Sequence, residues 1–153
     1  MDPRSVKRIL VPTDFADPSS DALGTAMAFA QISGATLDLV HVTMGSTYVL
    51  PPPFDVATLP FDTTKVTAHV TRELAVEEKR VRGAGVACQT AALTGAPDTE
   101  IVARARETGA ELIIMGTHGR SGLAHALFGS VSERVLRHSP CPLLVVPNAV
   151  NAK

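Results

Sequence analysis

The chain has 153 residues, 45% of them hydrophobic, which suits a single domain with a sizeable buried core and leaves little room for extended disorder. Its 14 basic and 15 acidic side chains give a formal net charge of -1, so bulk attraction to DNA, RNA or an anionic membrane is excluded and any anion must be gripped locally. Cys88 and Cys141 lie far apart and in no CxxC pair, which gives neither a disulfide framework nor a zinc knuckle.

The N-terminal stretch MDPRSVKRILVPTDF lacks a signal-peptide core, and nowhere do about eighteen apolar residues run together; the expectation is a cytoplasmic protein without a membrane span. RILVPTDF (Arg8 to Phe15) predicts a first strand. A helix follows, with Asp17 as N-cap, Pro18 at its first position, an apolar face of Ala22, Ala26, Met27 and Ala30, and Gly34 as terminator. ATLDLVHV (Ala35 to Val42) is the second strand. The Pro-rich segment Thr43 to Thr63 is too long for a plain connector and reads as a flexible surface flap or loop. The helix predicted over about Thr64 to Arg82 puts Val66, Val70 and Leu74 on one stripe and Glu78 and Arg82, at i,i+4 spacing, on the solvated side. GVACQTAAL (Gly85 to Leu93) is a strand. A helix then starts at Pro97, with Asp98 and Glu100 in its first turn, and stops at Gly109. ELIIMG (Glu111 to Gly116) is the fourth strand, a last helix begins near Gly129, and CPLLVVP (Cys141 to Pro147) is the fifth strand.

Five strands alternating with four helices predict an α/β fold with a mainly parallel sheet. The continuously apolar ILV, LIIM and LLVV suit strands covered on both faces. In such sheets ligands sit beyond the C-terminal strand ends, where helices switch faces. Two segments there are unusual. PTDF places Thr13 and Asp14 after the first strand. MGTHGRSGLAHALFGSVSERVL follows the fourth, and its glycines allow close backbone approach and an amide nest for an anion. Ser130 to Glu133 fits an S-x-x-E capping box with Ser130 as N-cap, leaving free amides and the positive dipole end to suit a phosphate, with Arg120 as a charged partner. Turn and cap chemistry alone accounts for the same residues, so both readings stay open. No G-x-x-x-x-G-K-[ST] occurs, nor a G-x-G-x-x-G after the first strand.

Gly116, Gly119, Gly129 and Ser130 fit G-x2-G-x9-G-[ST]. Together with ILVPTDF and SERVLRHSPCPLLVVP, they give the chain a resemblance to the universal stress protein family, ATP-binding subgroup, over essentially its whole length. The resemblance implies one domain over 1–153, with 43–63 a variable insert. Its fold would be an open five-stranded parallel sheet in the order 3-2-1-4-5 with helices on both faces, a Rossmann-like, adenine nucleotide alpha hydrolase-like fold. It implies that ATP or AMP binds, with Pro12, Thr13 and Asp14 on the adenosine side and Val42 beside adenine. Met115 and Gly116 would meet the ribose. Gly119, Arg120, Gly129, Ser130, Val131 and Ser132 would surround the phosphates, with His118 in the same loop; whether Mg2+ or Mn2+ accompanies them is left open. A carboxylate beside phosphates is repelled, so ribose or base is the expected partner of Asp14. The apolar final strand, 141–147, would lie at a sheet edge, and a homodimer through it would cover that edge, as the resemblance also implies.

Candidates for catalysis are thin: Asp14, His118 and Glu133 form no recognisable acid–base set. His118 and His125 lack a third ligand for a metal. His41 is expected to be packed or hydrogen-bonded, His69 and His138 solvated, and both cysteines buried and unreactive. The expectation is a nucleotide-binding stress-response or signalling module. The alternatives are a slow ATP hydrolase or adenylyl-transfer enzyme, and a dimeric interaction protein without nucleotide.

Overall fold

The computed structural model describes residues 2–44, 63–117 and 129–147. After a 3-10 turn at Pro3–Ser5 come β1 (Arg8–Pro12), α1 (Asp17–Ser33), β2 (Thr36–Thr43), α2 (Thr63–Gly83) and β3 (Cys88–Thr94). They are followed by α3 (Pro97–Thr108), β4 (Leu112–Gly116), α4 (Ser130–His138) and β5 (Leu143–Val146). The sheet order is β3-β2-β1-β4-β5 and every neighbouring pair is parallel.

The strand pleat sorts apolar side chains into two layers. Ile9, Val11, Leu37, Leu39, Leu112 and Ile114 pack with Leu23 and Ala26 of α1 and with Val70, Leu74 and Val81 of α2. Leu10, Val40, Ile113 and Met115 point the other way, against Ile101, Val102 and Ala105 of α3 and Val135 of α4. Helices therefore cover both faces. Ile9, Leu10 and Val11 are fully buried, and burying each such side chain contributes roughly 1.5–3 kcal/mol. Asp38 is also fully buried, in the middle of β2, where Arg104 of α3 pairs with it.

Gly34 and Gly109 end α1 and α3 in the left-handed conformation, at φ 71 and 64, as their positions predict. Val66, Val70 and Leu74 do line the inner side of α2, and Arg82 meets Glu78 at 2.8 Å.

Several expectations shift. The N-cap of α1 is Ala16 rather than Asp17, and no side chain caps it; the Ala16 carbonyl instead accepts from the Ser19 and Ser20 amides and from the Ser19 hydroxyl. The N-cap of α4 is Gly129 rather than Ser130, because the Gly129 carbonyl takes the first helical rung, from the Glu133 amide at 3.0 Å. That register puts Glu133 one position too far along to close a capping box, and its carboxylate pairs with Arg137 instead. β5 is half-buried along its whole length, since strand order places it at the edge rather than between two neighbours. Thr43 and Thr63, the ends of the Pro-rich segment, belong to β2 and α2; its interior lies outside the described residues.

Candidate functional site

The sheet order sets β1 beside β4. From the end of β1 the chain passes into α1, on one face; α4, next after β4, packs on the other. The crevice between these two strand ends is the switch point at which open α/β sheets bind ligands.

On the β1 side the chain leaves the ladder after Pro12. The Thr13 amide still donates to the Val40 carbonyl at 2.8 Å, and the Thr13 carbonyl accepts from Nδ1 of His41 at 2.8 Å. The Thr13 hydroxyl, itself buried, donates to the Ser19 hydroxyl and accepts from the Phe15 amide. Oδ1 of Asp14 accepts from the Ala16 amide at 3.0 Å, closing a tight turn. Phe15 then sits at φ 62, a left-handed conformation that costs a non-glycine residue about 1–2 kcal/mol. The second carboxylate oxygen, Oδ2 of Asp14, is buried and has no hydrogen-bond partner among the described residues. Leaving such an acceptor unsatisfied costs about 1–3 kcal/mol, more when it is charged, and a ligand N–H or O–H would relieve it.

On the β4 side Met115 is buried and Gly116 half-buried. The Thr117 amide donates to the Val146 carbonyl at 3.1 Å, while the Thr117 carbonyl accepts from the Gly129 amide at 2.6 Å and from the Ser132 hydroxyl at 3.2 Å. The same hydroxyl lies 2.9 Å from the Gly129 carbonyl. These bonds clasp the start of α4 to the end of β4. The Ser132 hydroxyl is thereby engaged, and what this turn offers an anion is its backbone: the first amides of α4 have no intrahelical acceptor and lie at the positive end of the dipole. Ser130 is exposed and Val131 half-buried.

Val42 is half-buried near the end of β2, in register with Leu93. The sequence-derived positions thus fall into two groups: Pro12, Thr13, Asp14 and Val42 at the ends of β1 and β2, and Met115, Gly116 and Gly129–Ser132 across the β4 to α4 junction. His118, Gly119 and Arg120 lie outside the described residues. The clasp on the Thr117 carbonyl carried no sequence signal; His41, expected to be packed or hydrogen-bonded, is so, and its partner in the β1 loop is what the sequence did not name.

Reactive thiols are not part of the arrangement. Burial, reinforced by Glu78 and Asp38, pushes the Cys88 thiol up to about 11, and burial likewise raises Cys141, so both stay protonated near neutral pH. Among the described residues no group of three His, Cys, Asp or Glu side chains could hold a metal ion, and no helix is long and apolar enough to cross a membrane.

A sequence profile of the universal stress protein family matches residues 5–147. The chain belongs to the universal stress protein family. Universal stress protein MJ0531 of Methanocaldococcus jannaschii is 36% identical over 140 residues, which cover 92% of this chain and 81% of that protein. The solved structure of MJ0577 from the same organism is similar at a TM-score of 0.78, with 28% identity, 94% of this chain and 96% of that one covered. A universal stress protein in complex with cAMP gives a TM-score of 0.71 at 25% identity, with 95% and 99% covered. The strand order 3-2-1-4-5 is that of the universal stress protein fold, as the resemblance implied.

Proposed function

We propose that the crevice between β1 and β4 binds an adenine nucleotide, ATP or AMP, and that the protein is a stress-response or signalling module whose surface changes with nucleotide occupancy. The observation that carries this reading is the pairing of opposite demands across one switch point. The end of β1 holds a buried carboxylate oxygen that lacks a donor among the described residues, and the start of α4 holds amides that have no intrahelical acceptor. A nucleotide supplies both complements, with hydroxyl or amino donors on the nucleoside for Asp14 and an anion for the first turn of α4. A structurally similar universal stress protein was solved with cAMP, a nucleotide of the same base.

In this reading Pro12, Thr13, Asp14 and Val42 hold the adenosine side. Met115 and Gly116 meet the ribose, and Gly119, Arg120, Gly129, Ser130, Val131 and Ser132, with His118, hold the phosphates. Any Mg2+ or Mn2+ would be carried chiefly by the phosphates. Both thiols stay protonated near neutral pH, so thiolate chemistry is no part of this reading.

The deciding experiment is to denature the purified protein, identify released nucleotide by mass spectrometry, and then measure turnover with added ATP. Release or tight titration without turnover supports the proposal. Steady turnover makes the protein a slow ATP hydrolase or transferase, and no bound or titratable nucleotide makes it an interaction protein.

A homodimer through β5 is the second element of the proposal. β5 is half-buried along its length and, among the described residues, pairs only with β4, so a second copy would cover its free edge. A monomer mass at micromolar concentration by light scattering would overturn it. We further propose a cytoplasmic location, in keeping with two free cysteines.

A further inference from the structure

We propose that His41 is the positioning residue of this site: acting through Thr13 and Phe15, it aims the unpartnered carboxylate oxygen of Asp14 at the ligand. The proposal rests on the nucleotide reading above and adds a residue to which neither sequence pattern nor that reading gave a role.

Four observations converge on it. β2 grips Thr13 twice, through the Val40 carbonyl on its amide and through His41 Nδ1 on its carbonyl, each at 2.8 Å. A carbonyl can only accept, so the bonded nitrogen of the ring is the one that carries hydrogen. The other side of Asp14 is held by the same ring, which stacks on Phe15 with centroids 4.7 Å apart and planes 17° from parallel. Phe15 is bulky and left-handed, a conformation that persists only where its surroundings over-determine it. Between these two held neighbours, Asp14 spends Oδ1 on the Ala16 amide and keeps Oδ2 buried, with no hydrogen-bond partner among the described residues.

One side chain on β2 therefore fixes the residue before and the residue after the carboxylate. No described bond joins His41 to the α4 side, so its influence on a ligand runs through the β1 loop. Without it Phe15 loses its stacking partner and can relax from the left-handed region, and the Asp14 turn opens with it.

The two contacts can be separated by substitution. His41→Ala removes both; His41→Asn keeps an amide donor near the place of Nδ1 but no ring; His41→Phe keeps a ring to stack but no donor. Each is measured by calorimetry with ATP and, without nucleotide, by hydrogen exchange of the Phe15 and Ala16 amides against those of β1 and β4. We expect His41→Ala to weaken ATP binding about tenfold, the effect of a competent loop populated roughly one time in ten. Exchange should quicken at Phe15 and Ala16 while the strand amides keep their rates. His41→Asn and His41→Phe should each recover part of both effects.

Unchanged exchange at Phe15 and Ala16 in His41→Ala overturns the proposal, as does exchange raised evenly across the sheet, which is the mark of general destabilisation. Unchanged ATP affinity in a protein whose wild type binds ATP also overturns it. If wild type binds no adenine nucleotide, the nucleotide reading is what fails, and the exchange rates at Phe15 and Ala16 alone decide the role of His41.

Discussion

The Arg104 guanidinium holds both carboxylate oxygens of Asp38, Nε to Oδ2 at 2.9 Å and Nη2 to Oδ1 at 3.1 Å, at a fully buried position in the middle of β2. The hydrogen bonds to Asp38 raise Arg104 above its ordinary value, and Glu107 adds a further contact at the solvent side. This pair fastens α3 to β2 with a fixed orientation that Leu-on-Leu packing would not impose.

Breaking it from one side should be costly. Arg104→Met leaves an uncompensated charge in the core and should lower stability by about 3–5 kcal/mol in urea unfolding. The double substitution Arg104→Met with Asp38→Leu should regain most of the loss, because an apolar pair of similar volume has no charge to desolvate. A single variant as stable as wild type would mean that Asp38 finds another partner.

Asp14→Asn tests the ligand side of the site with little disturbance of its loop. The amide oxygen can still accept from the Ala16 amide, but an NH2 group replaces the unpartnered Oδ2. Adenine nucleotide affinity should fall by roughly 1.5–3 kcal/mol, the worth of a hydrogen bond to a charged acceptor, or about ten- to a hundred-fold in Kd. Thermal unfolding without nucleotide should change little. Unaltered affinity by calorimetry would remove Asp14 from the site.

Gly129→Val should abolish nucleotide binding and spare the fold. Gly129 sits at φ -71, a backbone region open to any residue, so the branched side chain brings no strain of its own. It does put bulk beside the first amides of α4, where the proposed nucleotide would set its phosphate. Gly119→Val, in the same signature, should act likewise. If both variants keep wild-type ATP affinity, the phosphate assignment is wrong.

Cys88 gives a pH-dependent signature. With its thiol pushed up to about 11 from an ordinary 9.0, the folded state holds the proton more tightly than the unfolded chain does. Its contribution to stability is therefore complete below pH 9 and is lost as pH rises toward 11. The stability difference between wild type and Cys88→Ala should shrink over that window and stay flat at neutral pH. A difference that grows with pH would contradict the assignment.

How much of this was legible in the sequence differs from residue to residue, for physical reasons. Ile9, Leu10 and Val11 announce a strand buried on both faces because such burial demands an unbroken apolar run. Gly34 and Gly109 announce helix ends because few other residues tolerate a left-handed cap, and Glu78 with Arg82 announces a helical face by spacing alone. The Asp38–Arg104 pair was invisible because its partners are 66 positions apart and meet only through the packing of α3. The cap of α4 moved from Ser130 to Gly129 because the helix register is set with the help of Thr117, whose carbonyl claims the Gly129 amide and the Ser132 hydroxyl. Local pattern names Ser130; a bond across the junction decides otherwise. The family signature names the candidate positions, whereas the Asp14 oxygen left without a partner among the described residues and the grip of His41 needed the register of β1 against β2.

The clasp at Thr117 has a consequence for how such a protein can change over time. The chain departs at Thr117 and comes back at Gly129 with their backbone atoms 2.6 Å apart, so everything between is tied off at its base. Lengthening a segment whose ends are already joined adds closure entropy only slowly, on the order of 0.6 kcal/mol per doubling. A change in the number of residues between Thr117 and Gly129 should therefore put little strain on β4 or α4.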